Sequence, residues 1–175
     1  MPFYLLVLLF LSSCQASEPA YRLVHANDAD SFYVTDYDCK FDCKKQELRL
    51  IGIDAPEYSQ DPWGKAAMNY VLEQIKPETK IYLENGLTPI DKYGRRLVFL
   101  SYTHADKRKS MLQLDLLEHG YAQLFTFDKR QKHLDRFKMA ELSARSKNIN
   151  IWDTENGLKM NPSKYRRKQK AKKSI

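Results

Sequence analysis

The chain is poor in cysteine, with three in 175 residues: Cys14, Cys39 and Cys43. Cys39 and Cys43 enclose only Lys40-Phe41-Asp42, and no second cysteine pair or histidine pair stands at zinc spacing, so a zinc site at this position is excluded. A long apolar run is missing too. Residues 3–11 are unbroken and apolar, but the run is too short to cross a bilayer and has the length of a signal-peptide core. No Lys or Arg precedes it, so only the amino terminus supplies positive charge there. Acidic residues are absent from 158–175, where eight of the 29 Lys and Arg fall, leaving 21 basic against 22 acidic residues elsewhere. The folded part is therefore near neutral, and the formal net charge of +7 belongs to a tail. Such a tail is expected to be disordered, and it suits a polyanion: nucleic acid, anionic lipid or cell-wall polymer. The rest of the composition, 43% hydrophobic and 29% charged, is ordinary for one soluble globular domain with a real core.

The stretch that organises the chain is Arg49-Leu50-Ile51-Gly52-Ile53-Asp54-Ala55-Pro56-Glu57. Leu48, Leu50, Ile51 and Ile53 are apolar on both alternating faces, which marks a strand covered on both sides. Pro56 ends it, having no N–H for a ladder. One buried strand thus begins with a guanidinium and leaves with two carboxylates. Charges there must be paired with each other, or bound to a metal or an anion. Strict alternation would put Arg49 and Asp54 on opposite faces.

Around this stretch the pattern gives strands over residues 21–26, 32–37, 47–53, 80–83 and 97–102. Helices are expected over 65–75, 111–118 and 129–147, with Met68, Val71, Leu72 and Ile75 on one apolar face of the first and Ser110 capping the second. Residues 84–94 read as a loop, ending in Asp91-Lys92-Tyr93-Gly94-Arg95-Arg96. Asp30 leaves the first turn as Asp54 leaves the third strand, and paired oxygen ligands of this kind suit calcium or magnesium. Arg49 and Arg95 both sit at strand ends, and arginine is the residue for bidentate phosphate contact. Cys39 and Cys43 can staple a hairpin tip in an oxidising compartment. His133 lies on the narrow apolar stripe of the third helix, where packing explains it better than ligation.

Two resemblances follow. Leu11-Ser12-Ser13-Cys14 resembles the bacterial lipoprotein signal, which would make Cys14 the lipidated residue of an exported envelope protein. More extensively, residues 23–152 resemble the staphylococcal nuclease (thermonuclease) family. The likeness rests on Asp28-Ala29-Asp30-Ser31, on Arg49 through Glu57, on Asp91-Lys92-Tyr93-Gly94-Arg95, and on Asn150-Ile151-Trp152, in that order.

The resemblance implies an α+β fold, a five-stranded OB barrel with three helices. With the apolar run and the charge distribution, the chain divides into a leader over 1–14, a nuclease domain over 19–156 and a basic tail over 157–175. If Arg49 and Asp54 share one site, as the resemblance implies, the strand must end or bulge before Asp54. The resemblance assigns calcium to Asp30, Asp54 and the Ala55 carbonyl, general base or water positioning to Glu57, phosphate binding to Arg49 and Arg95, and substrate contact to Lys92 and Tyr93. Ala55 stands where the best-known member has Thr, which a carbonyl ligand tolerates. The family's two pocket tyrosines are missing: Leu124-Phe125-Thr126-Phe127-Asp128 occupies that region, and Phe stacks but cannot hydrogen-bond a phosphate. The activity implied is an exported, monomeric, calcium-dependent phosphodiesterase on DNA and RNA, leaving 3′-phosphates. The competing reading is a non-catalytic OB module, an envelope lipoprotein that binds nucleic acid or another polyanion.

Overall fold

The computed structural model describes residues 18–126 and 128–173. The apolar run, Cys14 with its lipidation, and Phe127 lie outside the described residues.

Alternating burial builds the first hairpin. β1 (Tyr21–Asp28) and β2 (Ser31–Asp36) pair antiparallel around a turn at Ala29 and Asp30, where Asp28 Oδ1 accepts the Asp30 N–H at 3.1 Å. β3 (Gln46–Leu50) adds to β2 with Arg49 opposite Ser31. After β4 (Gly52–Asp54) come α1 (Trp63–Gln74), β5 (Ile81–Ile90), β6 (Arg96–Thr103) and β7 (Lys109–Met111). α2 (Leu112–Glu118), β8 (Gln123–Phe125), α3 (Leu134–Ser146), a 3-10 turn (Asn150–Trp152) and α4 (Pro162–Lys173) complete the chain.

The sheet order is β3-β2-β1-β5-β6-β7, and β3 also pairs with β6 in parallel, Leu48 opposite Arg96 and Leu50 opposite Val98. That pairing closes β3-β2-β1-β5-β6 into the expected five-stranded, OB-like barrel, with β7 outside the ring and β4–β8 as a separate ribbon. Inside are Phe32, Val34, Leu48, Leu50, Val98 and Leu100, each 1% exposed or less, capped by Leu112, Leu116 and Leu117 of α2 and Phe137 of α3. Gln113, also fully buried, donates to Val98 O and accepts from Leu100 N, so both ends of its amide are satisfied by β6.

Several elements differ from expectation. β5 runs on to Ile90 where a loop over 84–94 is expected, because this stretch pairs with β6 through Asn85 and, after a register shift, through Ile90. Its outer half is largely exposed, which is why no apolar alternation marks it. Ser110 is no helix cap; it lies in β7 and hydrogen-bonds His104 Nε2 at 2.7 Å. Leu72 is 44% exposed, so the inward stripe of α1 is narrower than its spacing suggests. α3 starts at Leu134 because His133 has a left-handed backbone, φ +63°. The helices number four among the described residues, not three: residues 162–173 of the expected disordered tail form α4. At the β2–β3 connection, Cys39 and Cys43 are joined as a disulfide, with Arg22 Nη2 donating to Cys39 O.

Candidate active site

The organising stretch is two strands with a break between them. Leu50 N donates to Asp30 O, Ile51 bends and donates to Val98 O, and Gly52 takes φ +87°. β4 then leaves the barrel and pairs with β8, Asp54 opposite Gln123. The break reverses the facing of the chain, and Arg49 and Asp54 meet despite their odd spacing. A Cβ at Gly52 would stand 2.5 Å from the Phe137 ring, so position and backbone both require glycine.

Arg49 is inserted between two carboxylates. It is ion-paired with Asp30 Oδ1, and its Nη2 lies 3.2 Å from both Asp54 Oδ1 and Ile53 O. Burial pulls its pKa below the ordinary guanidinium value, and the charges of Asp54 and Asp28 oppose that. Asp30 is held on its other side by the Ala55 N–H, 2.7 Å from Oδ2. Asp28 lines the same cavity, and burial raises its pKa above 3.8 against the charges of Arg49 and Arg166. Glu57 is placed by Gln60, which accepts the Glu57 N–H at 3.1 Å and whose own N–H donates to Glu57 O at 2.7 Å.

Arg95 enters from the β5–β6 turn. Asp91 organises it: Oδ1 accepts the Tyr93 and Arg95 backbone N–H groups, and Oδ2 accepts Arg95 Nε at 2.8 Å and Nη2 at 2.7 Å. Burial would raise the Asp91 pKa, but these hydrogen bonds outweigh it and hold the carboxyl below 3.8. Arg95 Nη1 also reaches Ser31 Oγ at 3.3 Å, tying the turn to the mouth of the first hairpin.

A cavity of about 650 Å³ gathers Asp30, Arg49, Glu57, Tyr93 and Arg95 on its walls, with Phe125 and Thr126 from the end of β8. Lys92 is not among its lining residues and sits over the Tyr93 ring instead, 5.1 Å from the centroid. The Cys39–Cys43 tip is not part of the lining either.

The cavity also holds Arg166 and Lys170. Arg166 Nη1 donates to Glu57 Oε1 at 2.6 Å and Nη2 to Asp54 Oδ1 at 2.9 Å. Burial works against its charge, yet the Glu57 hydrogen bond and the Asp54 charge raise its pKa. This part of the tail is thus a wall of the cavity and not a detached segment. A run of Lys and Arg carries no local signal of this: only the tertiary pairing of one member with two carboxylates distinguishes it. The supporting roles of Ser31 and Asp91, which stand inside quoted motifs, and of Gln60, which stands in none, escaped the sequence for a related reason, since each looks like an ordinary turn residue.

The ligand atoms that Asp30 and Asp54 themselves offer are oxygens, which suits a hard divalent cation. Asp54 is fully buried, and its Oδ2 has no hydrogen-bond partner, a costly arrangement unless a cation takes that oxygen. Among the described residues no three His, Cys, Asp or Glu side chains cluster to cage a metal. A cation here would rest on two carboxylates and a backbone carbonyl, with water or substrate oxygens completing its shell.

The family model described as staphylococcal nuclease homologue matches residues 47–154. The chain is 28% identical over 142 residues to the thermonuclease of Staphylococcus hyicus and 26% over 147 residues to that of Staphylococcus intermedius, covering 78% and 81% of both chains respectively. It is also 30% identical over 142 residues to the SPbeta prophage-derived endonuclease YokF of Bacillus subtilis, covering 77% of this chain and 44% of that one.

Proposed function

The chain belongs to the staphylococcal nuclease family, and from that premise we propose a calcium-dependent phosphodiesterase that cleaves DNA and RNA with little sequence preference, leaving 3′-phosphate ends. The observation that carries this reading is the convergence of Asp30, Glu57 and two arginines, Arg49 and Arg95, on one cavity, with the fully buried Asp54 carboxylate paired to Arg49.

The chemistry follows from charge. A phosphodiester is negative and repels hydroxide, and attack builds a more negative, five-coordinate phosphorus. Arg49 and Arg95 are fixed positive charges beside that centre, worth most where water is excluded. Glu57 accepts the proton of the attacking water, a contribution of typically 10²–10⁴-fold. Calcium, when bound by Asp30, Asp54 and the Ala55 carbonyl, supplies Lewis acidity toward the phosphate oxygen. Two protein carboxylates give weak affinity, on the order of 10⁻⁴–10⁻³ M, as in extracellular modules. That range matches the export read from the leader, with Cys14 as the point of lipid attachment and a monomer as the working form. Phe125 on the cavity wall offers a stacking face to a base where a tyrosine hydroxyl is missing.

The test is digestion of DNA and of RNA by purified protein in calcium, in magnesium and in excess chelator. Cleavage of both in calcium alone, with 3′-phosphate ends, is expected. Full activity in chelator removes the calcium requirement, and no cleavage in any condition removes the nuclease reading.

A further inference from the structure

Arg166 reaches the site from outside the barrel. One guanidinium spans Asp54, a proposed cation ligand, and Glu57, the proposed base. α4 is held onto the loop that carries Glu57: Tyr165 Oη donates to Ser59 O at 3.0 Å, and Gln60 Nε2 donates to Met160 O at 2.9 Å. Trp63 Nε1 adds a bond to Asn156 O at 3.0 Å. The arginine is therefore delivered by an anchored segment and is only 34% exposed.

The local charge explains what it does there. Asp30, Asp54 and Glu57 are three carboxylates in direct contact with only two guanidiniums, Arg49 and Arg166, while Asp28 and Lys170 line the same cavity. Arg95 is matched separately by Asp91. A divalent cation on Asp54 would stand beside the Arg166 guanidinium, which holds Oδ1 of the same carboxylate. Two cations sharing one carboxylate repel each other most strongly where water is sparse.

We propose that Arg166 is a tethered counter-cation: it neutralises Asp54 and Glu57 in the free enzyme and must be displaced as the divalent cation enters, freeing Glu57 at the same moment. The proposal rests on reading Asp30 and Asp54 as cation ligands. It makes cation binding and release of the base one linked event, and linkage of this kind is reciprocal.

The experiment measures the melting temperature against calcium concentration for the full chain, Arg166→Gln, Arg166→Lys and Arg167→Gln, with no substrate present. A ligand that binds the folded state raises the melting temperature according to its Kd. Arg167 is an exposed neighbour on α4, and its replacement controls for the loss of one charge. Removing a competing charge-assisted contact is expected to lower the calcium Kd of Arg166→Gln on the order of tenfold. Arg166→Lys, which keeps the charge but cannot span two carboxylates, should fall between it and wild type, and Arg167→Gln should stay within about twofold of wild type. Equal Kd values for Arg166→Gln and Arg167→Gln overturn the proposal while leaving the cation site standing. Weaker calcium binding in Arg166→Gln also overturns it and makes Arg166 an organiser of the carboxylates. No calcium response in any of the four proteins overturns the cation site itself, and the counter-cation with it.

Discussion

Replacing Gly52 by Ala tests whether packing holds the break that brings Arg49 to Asp54. The residue has φ +87°, and a Cβ would lie 2.5 Å and 2.8 Å from two Phe137 ring carbons and against Gln131 Nε2. Gln131 can swing aside, but Phe137 is fully buried and backed by the core. The left-handed backbone costs a non-glycine residue about 1–2 kcal/mol. Overpacking a filled core adds about 1–3 kcal/mol. Together these make roughly 2–5 kcal/mol, a fall in melting temperature of roughly 5–20 °C for a domain of this size. Gly94 separates the two costs: its φ is +84°, yet nothing lies within 4 Å of a Cβ there. Gly94→Ala should lose the backbone cost alone, about 1–2 kcal/mol. Thermal and urea melts of both variants, with turnover measured at a temperature where each is folded, give the comparison. Gly52→Ala should lose more stability than Gly94→Ala and should lose turnover through a displaced Asp54. Equal losses would refute the packing account, and a Gly52→Ala melt within about 1 °C of wild type would refute the reasoning altogether.

Asp54→Asn keeps the shape of the buried side chain and removes its charge; turnover should fall on the order of 10²-fold or more with an unchanged circular dichroism spectrum, and wild-type turnover would take Asp54 out of the site. Asp91 titrates below its ordinary 3.8 in the folded state, so the stability it contributes is complete above that value and disappears as pH falls through the folded pKa. The difference in melting temperature between wild type and Asp91→Asn should accordingly be constant above about pH 5 and shrink below about pH 4; a difference that grows on acidification contradicts the pairing with Arg95. The Cys39–Cys43 bridge spans a sequence separation of 4, a loop so short that chain entropy yields about 2 kcal/mol at most. Cys39→Ser should therefore lower the melting temperature by less than roughly 8 °C, and a collapse of the fold would mean that the hairpin tip is held by the bond alone.

The barrel was legible because its strands are local: Phe32 and Val34 alternate, Leu48 and Leu50 alternate, and both sets do fill the interior. The break before Asp54 was legible only through the family resemblance, which implies that Arg49 and Asp54, five residues apart and so on opposite faces of an unbroken strand, share one site. The outer half of β5 was not, because strand pairing there is decided by β6 and not by its own exposed side chains. Site residues carried by a motif were readable, as with Glu57 or Arg95. Those that work by holding another residue were not: Gln60 on Glu57 and Asp91 on Arg95 are meaningful only once the chain is folded. Arg166 was hidden furthest, more than a hundred residues in sequence from each carboxylate it binds.

The ring of strands is closed unevenly. β3 is bonded to β2 and to β6 over several residues on each side, whereas β1 meets β5 at a single pair, Tyr21 opposite Ile81. A closed ring breathes at its shortest joint, since opening there sacrifices the fewest hydrogen bonds. Amide protons along the free side of β1 should therefore exchange with solvent early, and those of β3 and β6 only on global unfolding. The candidate site hangs from the slow side, so Arg49 can hold its carboxylates while the opposite flank of the barrel opens and closes.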